Sequence, residues 1–158
     1  MGLDMYMYIH SYESLGNWEH RDDEVKNFYP EKLNVFQNDI YERNFLSKST
    51  EYQVAYWRKA NSIHSWIIEN CADGKDKCQD IWMSKEKLTE LLDIVRKVLD
   101  DNSLADELLP VQDGFFFGSQ EYDDWYFEDL KYANHIIPLL LDYLEKNPYD
   151  ELYYHASW

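Results

Sequence analysis

The feature that most constrains the fold is a strict alternation of side chains near the start of the sequence. One set consists of Leu3, Met5, Met7 and Ile9, and the other of Asp4, Tyr6, Tyr8 and His10. Because successive side chains of a strand point to opposite faces, this period of two predicts a half-buried strand over residues 3–10. The following stretch, residues 11–48, has mixed polarity and is expected to be the most irregular part of the chain.

Three later segments have the period of a helix instead. Ser49 or Thr50 can cap a helix over residues 51–70, in which the apolar side chains recur at i, i+4, i+7 and i+11. Ser84 is expected to cap a second helix, and Ser119 a third that ends at Asn147-Pro148. The second helix has a clear apolar stripe, made of Leu88, Leu91, Leu92, Val95 and Leu99. Pro138 is expected to kink the third helix.

Shorter elements complete the predicted fold. Residues 78–83 alternate like a short strand, residues 104–109 can add one helical turn before Pro110, and the aromatic tail 152–158 is expected to dock as an edge strand. The triplet at 115–117 fits either a buried strand or a packed loop. We therefore predict an α+β fold, a single domain over residues 1–158, with three main helices packed against a small sheet formed by the N-terminal strand and short strands.

Composition supports a folded chain and limits its partners. The apolar fraction is 45%, with 6 Trp, 14 Tyr and 7 Phe, which is enough for one sizeable core in 158 residues. The formal charge of -16 repels phosphate backbones, so direct nucleic-acid binding is not expected. The same charge suits a partner protein with a basic surface, although it also simply favours solubility.

The sequence gives no sign of secretion or of a membrane span. Cys71 and Cys78 are too few for a disulfide framework, and no charged-then-apolar leader precedes the body of the chain. The longest dense apolar run, residues 136–141, is far shorter than the roughly 20 residues that span a bilayer. We predict a cytoplasmic protein without a membrane partner.

One candidate binding segment lies within the predicted helix over residues 51–70. On a helix, Trp57, Asn61 and His64 would share one side, with Arg58 and Lys59 beside them. Such a set can stack a ring, hold an anionic group and bond to polar edges. The alternative is that Trp57 belongs to the core, that Arg58 pairs with an acid and that His64 is a satisfied boundary residue.

A second candidate segment follows the glycine-flanked triplet, between Gly114 and Tyr126. Gly118 allows a ligand close to the backbone, and Ser119, Tyr122 and Trp125 supply a helix start and two aromatic rings. Acids at positions 121, 123 and 124 oppose anion binding at that helix start. The plainer interpretation is that the segment only packs into the core.

Signatures of catalysis, metals and cofactors are missing from the sequence. It has no G-x-S-x-G elbow, phosphate-binding loop or dinucleotide fingerprint, and no metal-ligand spacing. We therefore predict no catalytic residues, no metal and no cofactor. The sequence favours a protein that is not an enzyme, and any catalysis would have to use His64 with a nearby acid.

Three stretches together resemble a family of small uncharacterised proteins of tailed bacteriophages and prophages. They are MGLDMY at 1–6, YWRKANSIH at 56–64, and LLP at 108–110 followed by GFFFGSQEYDDWY at 114–126. The resemblance implies a phage accessory protein made in the host cytoplasm. Since such genes often act on host defences, it fits a protein that captures a nucleotide signal.

These observations lead to one hypothesis and two alternatives. The hypothesis is a binding protein that sequesters a small anionic, nucleotide-like molecule between the 56–64 and 114–126 segments. The alternatives are an acidic inhibitor that imitates nucleic acid on a host protein, and a small hydrolase that acts on the same ligand. The aromatic tail leaves a homo-oligomer open.

Overall fold

The computed structural model describes residues 2–16, 28–41, 45–114 and 118–158. Within them, the chain forms four strands and five α-helices. The strands are β1 (Asp4–Gly16), β2 (Phe45–Arg58), β3 (Ile81–Trp82) and β4 (Glu151–Ser157). The helices are α1 (Asn34–Tyr41), α2 (Asn61–Cys71), α3 (Lys85–Asp100), α4 (Ala105–Leu108) and α5 (Asp124–Lys146). The predicted α+β class is confirmed.

The strands form one antiparallel sheet in the order β2-β1-β4-β3. The β3–β4 register pairs Ile81 with Tyr154 and Trp82 with Tyr153. Alternate side chains of β1 and β4 are buried, as their period of two requires. They are Met5, Met7 and Ile9 in β1, with Leu3 immediately before it, and Leu152, Tyr154 and Ala156 in β4.

Helix α3 follows the predicted pattern closely. The Ser84 hydroxyl accepts a hydrogen bond from the Lys87 amide at 3.1 Å, which confirms the expected cap. The buried side chains of α3 pack mainly toward α5, and each fully buried Leu or Val contributes about 1.5–3 kcal/mol. They are Leu88, Leu91, Leu92, Val95 and Val98.

The contacts divide the chain into two compact units. The first consists of Met1–Ile9 and Tyr52–Trp158, and it contains the core described above. The second, His10–Glu51, has a small core of its own around Phe28 and Leu46. Within the second unit, the Tyr29 hydroxyl donates to the Ser47 carbonyl at 2.9 Å, and the Lys48 ammonium lies 4.7 Å from the centre of the Phe28 ring.

The predicted helix over residues 51–70 is wrong in its first half and confirmed in its second half. The chain is a strand up to Arg58, and α2 begins at Asn61. From position 54 to 57 burial alternates, with Ala55 and Trp57 inside, so these residues follow a period of two. Aromatic and β-branched side chains favour the strand, and pairing with β1 outweighs the apolar spacing that suggested a helix.

Smaller corrections concern the ends of elements. Asp123, not Ser119, caps α5, because its side chain accepts from the Tyr126 amide at 3.0 Å. The tail is a strand, but it lies between β1 and β3 and is not an edge strand. Only Ile81–Trp82 of the segment 78–83 is a strand. Residues 11–48 contain the rest of β1, helix α1 and the start of β2.

Three further predictions have different outcomes. The helical turn before Pro110 is confirmed as α4. Pro138 lies inside α5, while the kink there stays a prediction. The triplet 115–117 lies outside the described residues. The boundaries between the two units fall within β1, after Ile9, and within β2, before Tyr52, and the single domain stays a prediction.

Candidate functional site

The turn from β2 into α2 has an unusual backbone. Lys59 has φ = 64°, a left-handed conformation that is uncommon for a residue with a side chain. Its amide donates to the Leu3 carbonyl at 2.7 Å, and its carbonyl accepts from the Asn61 amide at 2.8 Å. These bonds hold the chain in a sharp turn, so that the end of a strand and the start of a helix meet at one point.

Two glycines allow the Lys59 side chain to lie where it does. A Cβ on Gly118, whose φ is 92°, would lie 2.9 Å from the Lys59 Cβ, and a Cβ on Gly2 would lie 3.1 Å from its Cε. Both distances are too short for a real side chain without a shift. Gly118 and Gly2 therefore leave room for the aliphatic part of Lys59, and Gly118 also adopts a backbone conformation that other residues rarely take.

A cleft of about 240 Å³ opens beside this turn. It lies between the start of α2 and the segment that leads into α5. Its lining combines two cations, three carboxylates and two aromatic rings. The lining residues are Arg58, Lys59, Ala60, Asn61, Ser62, Val111, Ser119, Glu121, Asp123, Trp125, Tyr126 and Asp129.

The Arg58 cation at this cleft is only weakly paired within the protein. The Arg58 side chain is 63% exposed, and its Nε lies 4.0 Å from Asp4 Oδ1. The same Asp4 oxygen accepts a hydrogen bond from the Tyr56 hydroxyl at 2.5 Å, so it is shared. An exposed ion pair of this length contributes little stability, and Arg58 can turn to an anionic ligand at small cost.

The start of α2 adds positive potential to the same cleft. Ala60 supplies no side-chain cap, and the first turn of α2 contains no acid. Helices α3 and α5, in contrast, are capped by the side chains of Ser84 and Asp123. Because α2 does not neutralise its own N-terminal dipole, this end favours a negative group more than the starts of α3 and α5 do.

Asn61 determines the shape of the cleft. Its side chain is buried, with Nδ2 donating to the Ser119 carbonyl at 3.0 Å and Oδ1 accepting from the Gln112 amide at 2.9 Å. One amide thus ties both ends of the 112–119 segment to the start of α2. Asn61 therefore holds the backbone of this segment and also lines the cleft, while its predicted contact with a ligand stays a prediction.

Asp129 is a site residue that the sequence analysis missed. It lies in α5, lines the cleft and is half-buried. Burial raises the pKa of its carboxyl to about 7, with a further contribution from Asp123. The available signal was position: residue 129 lies three after Tyr126 and next to Leu130, both of which are buried. An acid on the apolar face of a helix indicates either a paired charge or a functional one.

Trp57 is part of the core. Its side chain is 2% exposed, its indole packs edge-on against Tyr132 at 5.1 Å, and its Nε1 donates to the Asp129 carbonyl at 3.4 Å. The interpretation of Trp57 as a stacking surface is therefore wrong. Trp125, which lines the cleft and is 79% exposed, presents the ring instead.

His64 points away from the cleft into a separate buried network. Its Nδ1 lies 2.7 Å from the Tyr154 hydroxyl, and its Nε2 lies 3.0 Å from Asp76 Oδ2, which also accepts from Trp158 Nε1 at 2.9 Å. Burial lowers the pKa of the imidazole, and Asp76 partly opposes that effect. The expected shared face of Trp57, Asn61 and His64 does not exist, because the chain is not helical before residue 61.

Ser119 and Tyr122 have different surroundings. Ser119 lines the cleft, and its Oγ accepts from the Glu121 amide at 3.1 Å. Tyr122 donates to Asp106 Oδ1 at 2.8 Å and packs edge-on against Tyr126 without lining the cleft. Five of the predicted site residues line the cleft, namely Arg58, Lys59, Asn61, Ser119 and Trp125. Trp57, Tyr122 and His64 do not line it, and a binding role for the five stays a prediction.

The described residues contain few signs of other chemistry. Across residues 2–16, 28–41, 45–114 and 118–158, no three His, Cys, Asp or Glu side chains come together as a metal site would need. Cys71 and Cys78 are free thiols. Among the same residues, none of the helices has the length and apolar character needed to cross a bilayer.

The fold and the site define an α+β protein with a small cleft that is lined by charges of both signs and an exposed indole. No family model matches the chain, and searches of curated proteins and of solved structures give no significant match.

Proposed function

We propose that this chain is a phage- or prophage-encoded accessory protein that sequesters a small anionic, nucleotide-like molecule in the cleft. The observation that carries the proposal is the meeting of Arg58 and Lys59 with the exposed Trp125 ring at the uncapped start of α2. The resemblance of the sequence to phage proteins supports the setting. In that setting the protein acts in the host cytoplasm and counters a nucleotide-based defence signal.

Each part of the cleft suits a part of a nucleotide. Arg58 and Lys59 provide charge-assisted donors for a phosphate, and the start of α2 adds favourable potential. The Trp125 ring offers a surface on which a base can stack, an interaction worth about 1–3 kcal/mol. The cleft is smaller than the roughly 300–1,000 Å³ of usual ligand pockets. It therefore suits one nucleoside phosphate, with any further part of the molecule outside.

Binding without turnover is the better-supported form of this function. His64, the acid or base of the enzymatic alternative, lies in the Tyr154–Asp76 network and does not line the cleft. Asp129 is the cleft group whose pKa, about 7, suits proton transfer near neutral pH. If the ligand were converted, Asp129 and not His64 would therefore be the candidate acid or base.

A screen with mass-spectrometric recovery tests the proposal. Purified protein is mixed with mononucleotides, dinucleotides and cyclic nucleotides, thermal stabilisation is measured, and each stabilising ligand is recovered and weighed. We expect at least one ligand to stabilise the protein and to return intact. Arg58→Ala should remove the stabilisation, whereas Arg96→Ala, an arginine on α3 that bonds to Asn134 at 2.9 Å, should keep it. Stabilisation that both variants retain equally would contradict the proposed site.

A second candidate function rests on the charge of -16. An acidic inhibitor would occupy a basic groove of a host protein, and its binding would weaken steeply with salt. Arg58→Ala would leave that binding unchanged, while neutralisation of surface Asp and Glu would weaken it. Capture of host protein at about 50 mM and at about 500 mM salt separates this function from nucleotide binding.

A further inference from the structure

We propose that Asp129 is the base-reading residue of the cleft, and that the ligand is a nucleotide whose base carries an amino group. This inference rests on the proposed function and specifies the ligand of the same site. Guanine, adenine and cytosine present amino N–H donors on their base edges, whereas uracil and thymine do not. A carboxylate accepts such donors and has none to offer in return.

The charged residues of the cleft come from two parts of the chain. Arg58 and Lys59 lie where β2 turns into α2, whereas the carboxylates belong to residues 121, 123 and 129, on α5 and the segment that leads into it. Trp125 lies at the start of α5. A ligand that is only anionic would be repelled by three acids. A ligand with a phosphate at one end and N–H donors at the other can pair with both kinds of charge.

Of the three carboxylates, Asp129 is the one most in need of a donor. Asp123 already accepts from the Tyr126 amide, and Glu121 is exposed to water. Asp129 is half-buried, and no donor among the described residues hydrogen-bonds to its carboxyl. A half-buried acceptor without a protein donor has lost part of its hydration, and a bound amino group would supply the missing hydrogen bond.

The ring of Trp125 places a base within reach of this carboxyl. Residues 125 and 129 are four apart in α5 and therefore lie on one side of the helix. Both line the cleft. A base stacked on the indole would present its edge toward Asp129. The indole would then accept any base, whereas Asp129 would discriminate between bases.

The protonation state of Asp129 makes this discrimination depend on pH. Its pKa is raised to about 7 by burial, and next by Asp123. The other titratable or charged groups of the cleft are Arg58, Lys59, Glu121 and Tyr126. Above about pH 7 the ionised carboxyl accepts N–H donors. Below that pH it is protonated, one oxygen becomes a donor, and the preference for amino bases narrows.

Calorimetric titration with GMP, AMP, CMP and UMP tests the inference. We expect the best amino-bearing nucleotide to bind about tenfold more tightly than UMP at pH 8. Asp129→Asn should reduce that ratio to below about threefold, and lowering the pH to 5.5 should narrow it in the wild-type protein only. Glu128→Gln, an adjacent exposed acid that pairs with Lys131, is the matched control and should keep the wild-type ratio.

The possible results separate this inference from the proposed function. Equal affinity for UMP and the amino-bearing nucleotides, with binding still lost in Arg58→Ala, would overturn the base-reading role and leave the nucleotide site standing. Full discrimination retained by Asp129→Asn would overturn it too. If none of the four nucleotides binds, the inference fails, and the dinucleotide and cyclic-nucleotide screen with Arg58→Ala decides the proposed function. Asp129→Ser serves as a second variant if Asp129→Asn fails to fold.

Discussion

At the scale of single residues, two residues that line the cleft adopt states that lower the stability of the fold. Lys59 has a left-handed backbone, and Asp129 keeps a carboxyl where burial raises its pKa to about 7. Strain of this kind persists where the surrounding structure enforces it and is found most often at functional sites. Both residues line the same cleft, so their costs are consistent with a binding role.

Replacing Asp129 should stabilise the protein in a pH-dependent way. The folded-state pKa of about 7 exceeds the usual unfolded value near 3.9, so ionisation destabilises the fold as pH rises from about 4 to 7. Asp129→Asn removes that penalty. After discounting for the partial exposure of the group, we expect a gain of about 1–2 kcal/mol at pH 8 and almost none at pH 4. Chemical denaturation at both pH values measures it.

A loss of stability in Asp129→Asn would contradict this interpretation. If Asp129→Asn destabilises the protein at pH 8, the carboxylate is stabilised by partners in the fold and is not a group that waits for a ligand. Glu128→Gln controls for the loss of one negative charge from α5, because Glu128 is exposed and its pair with Lys131 contributes about 0–1 kcal/mol.

Gly118→Ala should damage both stability and binding. The new Cβ would lie 2.9 Å from the Lys59 Cβ, at a φ of 92°. We expect a loss of about 1–3 kcal/mol in thermal or chemical denaturation, together with weaker nucleotide binding, because Lys59 must move. Gly74→Ala is the control: its φ is 69°, but the nearest atom is the flexible Glu69 carboxylate at 3.4 Å. Equal effects of the two substitutions on binding would contradict the role given to Lys59.

His64→Ala should be a stability variant and not a binding variant. The substitution leaves a cavity and removes one hydrogen-bond partner from each of Tyr154 and Asp76. We expect a loss of about 2–4 kcal/mol and a nucleotide affinity within about twofold of the wild type. A folded His64→Ala protein that binds normally but no longer converts a ligand would instead support the hydrolase.

At the scale of elements, the local sequence pattern predicted a helix or strand correctly where long-range strand pairing did not outweigh it. The strand at the N-terminus and helix α3 follow their periods of two and 3.6. Helix α3 is found where the sequence placed it, and β1 begins as predicted but continues beyond residue 10 to Gly16. The prediction of a helix over residues 51–70 failed in its first half. Tyr56, Ala60 and Ile63 have the spacing of a helix, but residues 54–57 pair in a sheet. The pairing of β1 with β2 decides between helix and strand here, and the spacing of apolar residues along the sequence does not reveal that pairing.

The candidate site was predicted in part, for the same reason. Arg58, Lys59 and Asn61 were identified by residue type, and they do line the cleft. Their exposure depends on the turn at Lys59, and the burial of Trp57 and His64 depends on the strand-to-helix switch next to it. Asp129 was missed because its importance comes from long-range packing between α5 and the end of β2.

The cap of α5 gives a prediction at this scale. Asp123→Ala should destabilise the protein by about 1 kcal/mol, because the Tyr126 amide loses its acceptor at the helix start. Asp123→Ser keeps an acceptor and should recover most of that loss while it removes one charge from the cleft. Chemical denaturation compares the variants. Ser119→Ala is the control, since Ser119 is not the cap, and a larger loss there than in Asp123→Ala would contradict the assignment.

At the scale of the whole molecule, the charge of -16 sets the conditions under which an anion can bind. The average field repels a phosphate, so capture depends on the local group of Arg58, Lys59 and the start of α2. Added salt screens the long-range repulsion and also weakens the local attraction. Nucleotide affinity should therefore depend weakly on salt, in contrast to the steep loss expected of an acidic inhibitor on a basic partner.

That contrast can be measured on one protein preparation. We expect nucleotide affinity to change by less than about threefold between 50 mM and 300 mM salt. Host-protein capture, if the acidic alternative holds, should fall by far more over the same range. A steep loss of nucleotide affinity with salt would mean that long-range attraction drives binding, which the charge of this chain does not provide.

The most direct test of the binding site is a nitrogen–proton NMR titration that follows the indole signals of the 6 tryptophans with the best nucleotide from the screen. Trp125→Phe and Trp82→Phe assign two signals from exposed rings, one in the cleft and one on β3. We predict that the Trp125 signal shifts and saturates while the Trp82 signal stays in place. Saturable binding that moves the Trp82 signal and leaves Trp125 unchanged would contradict the account.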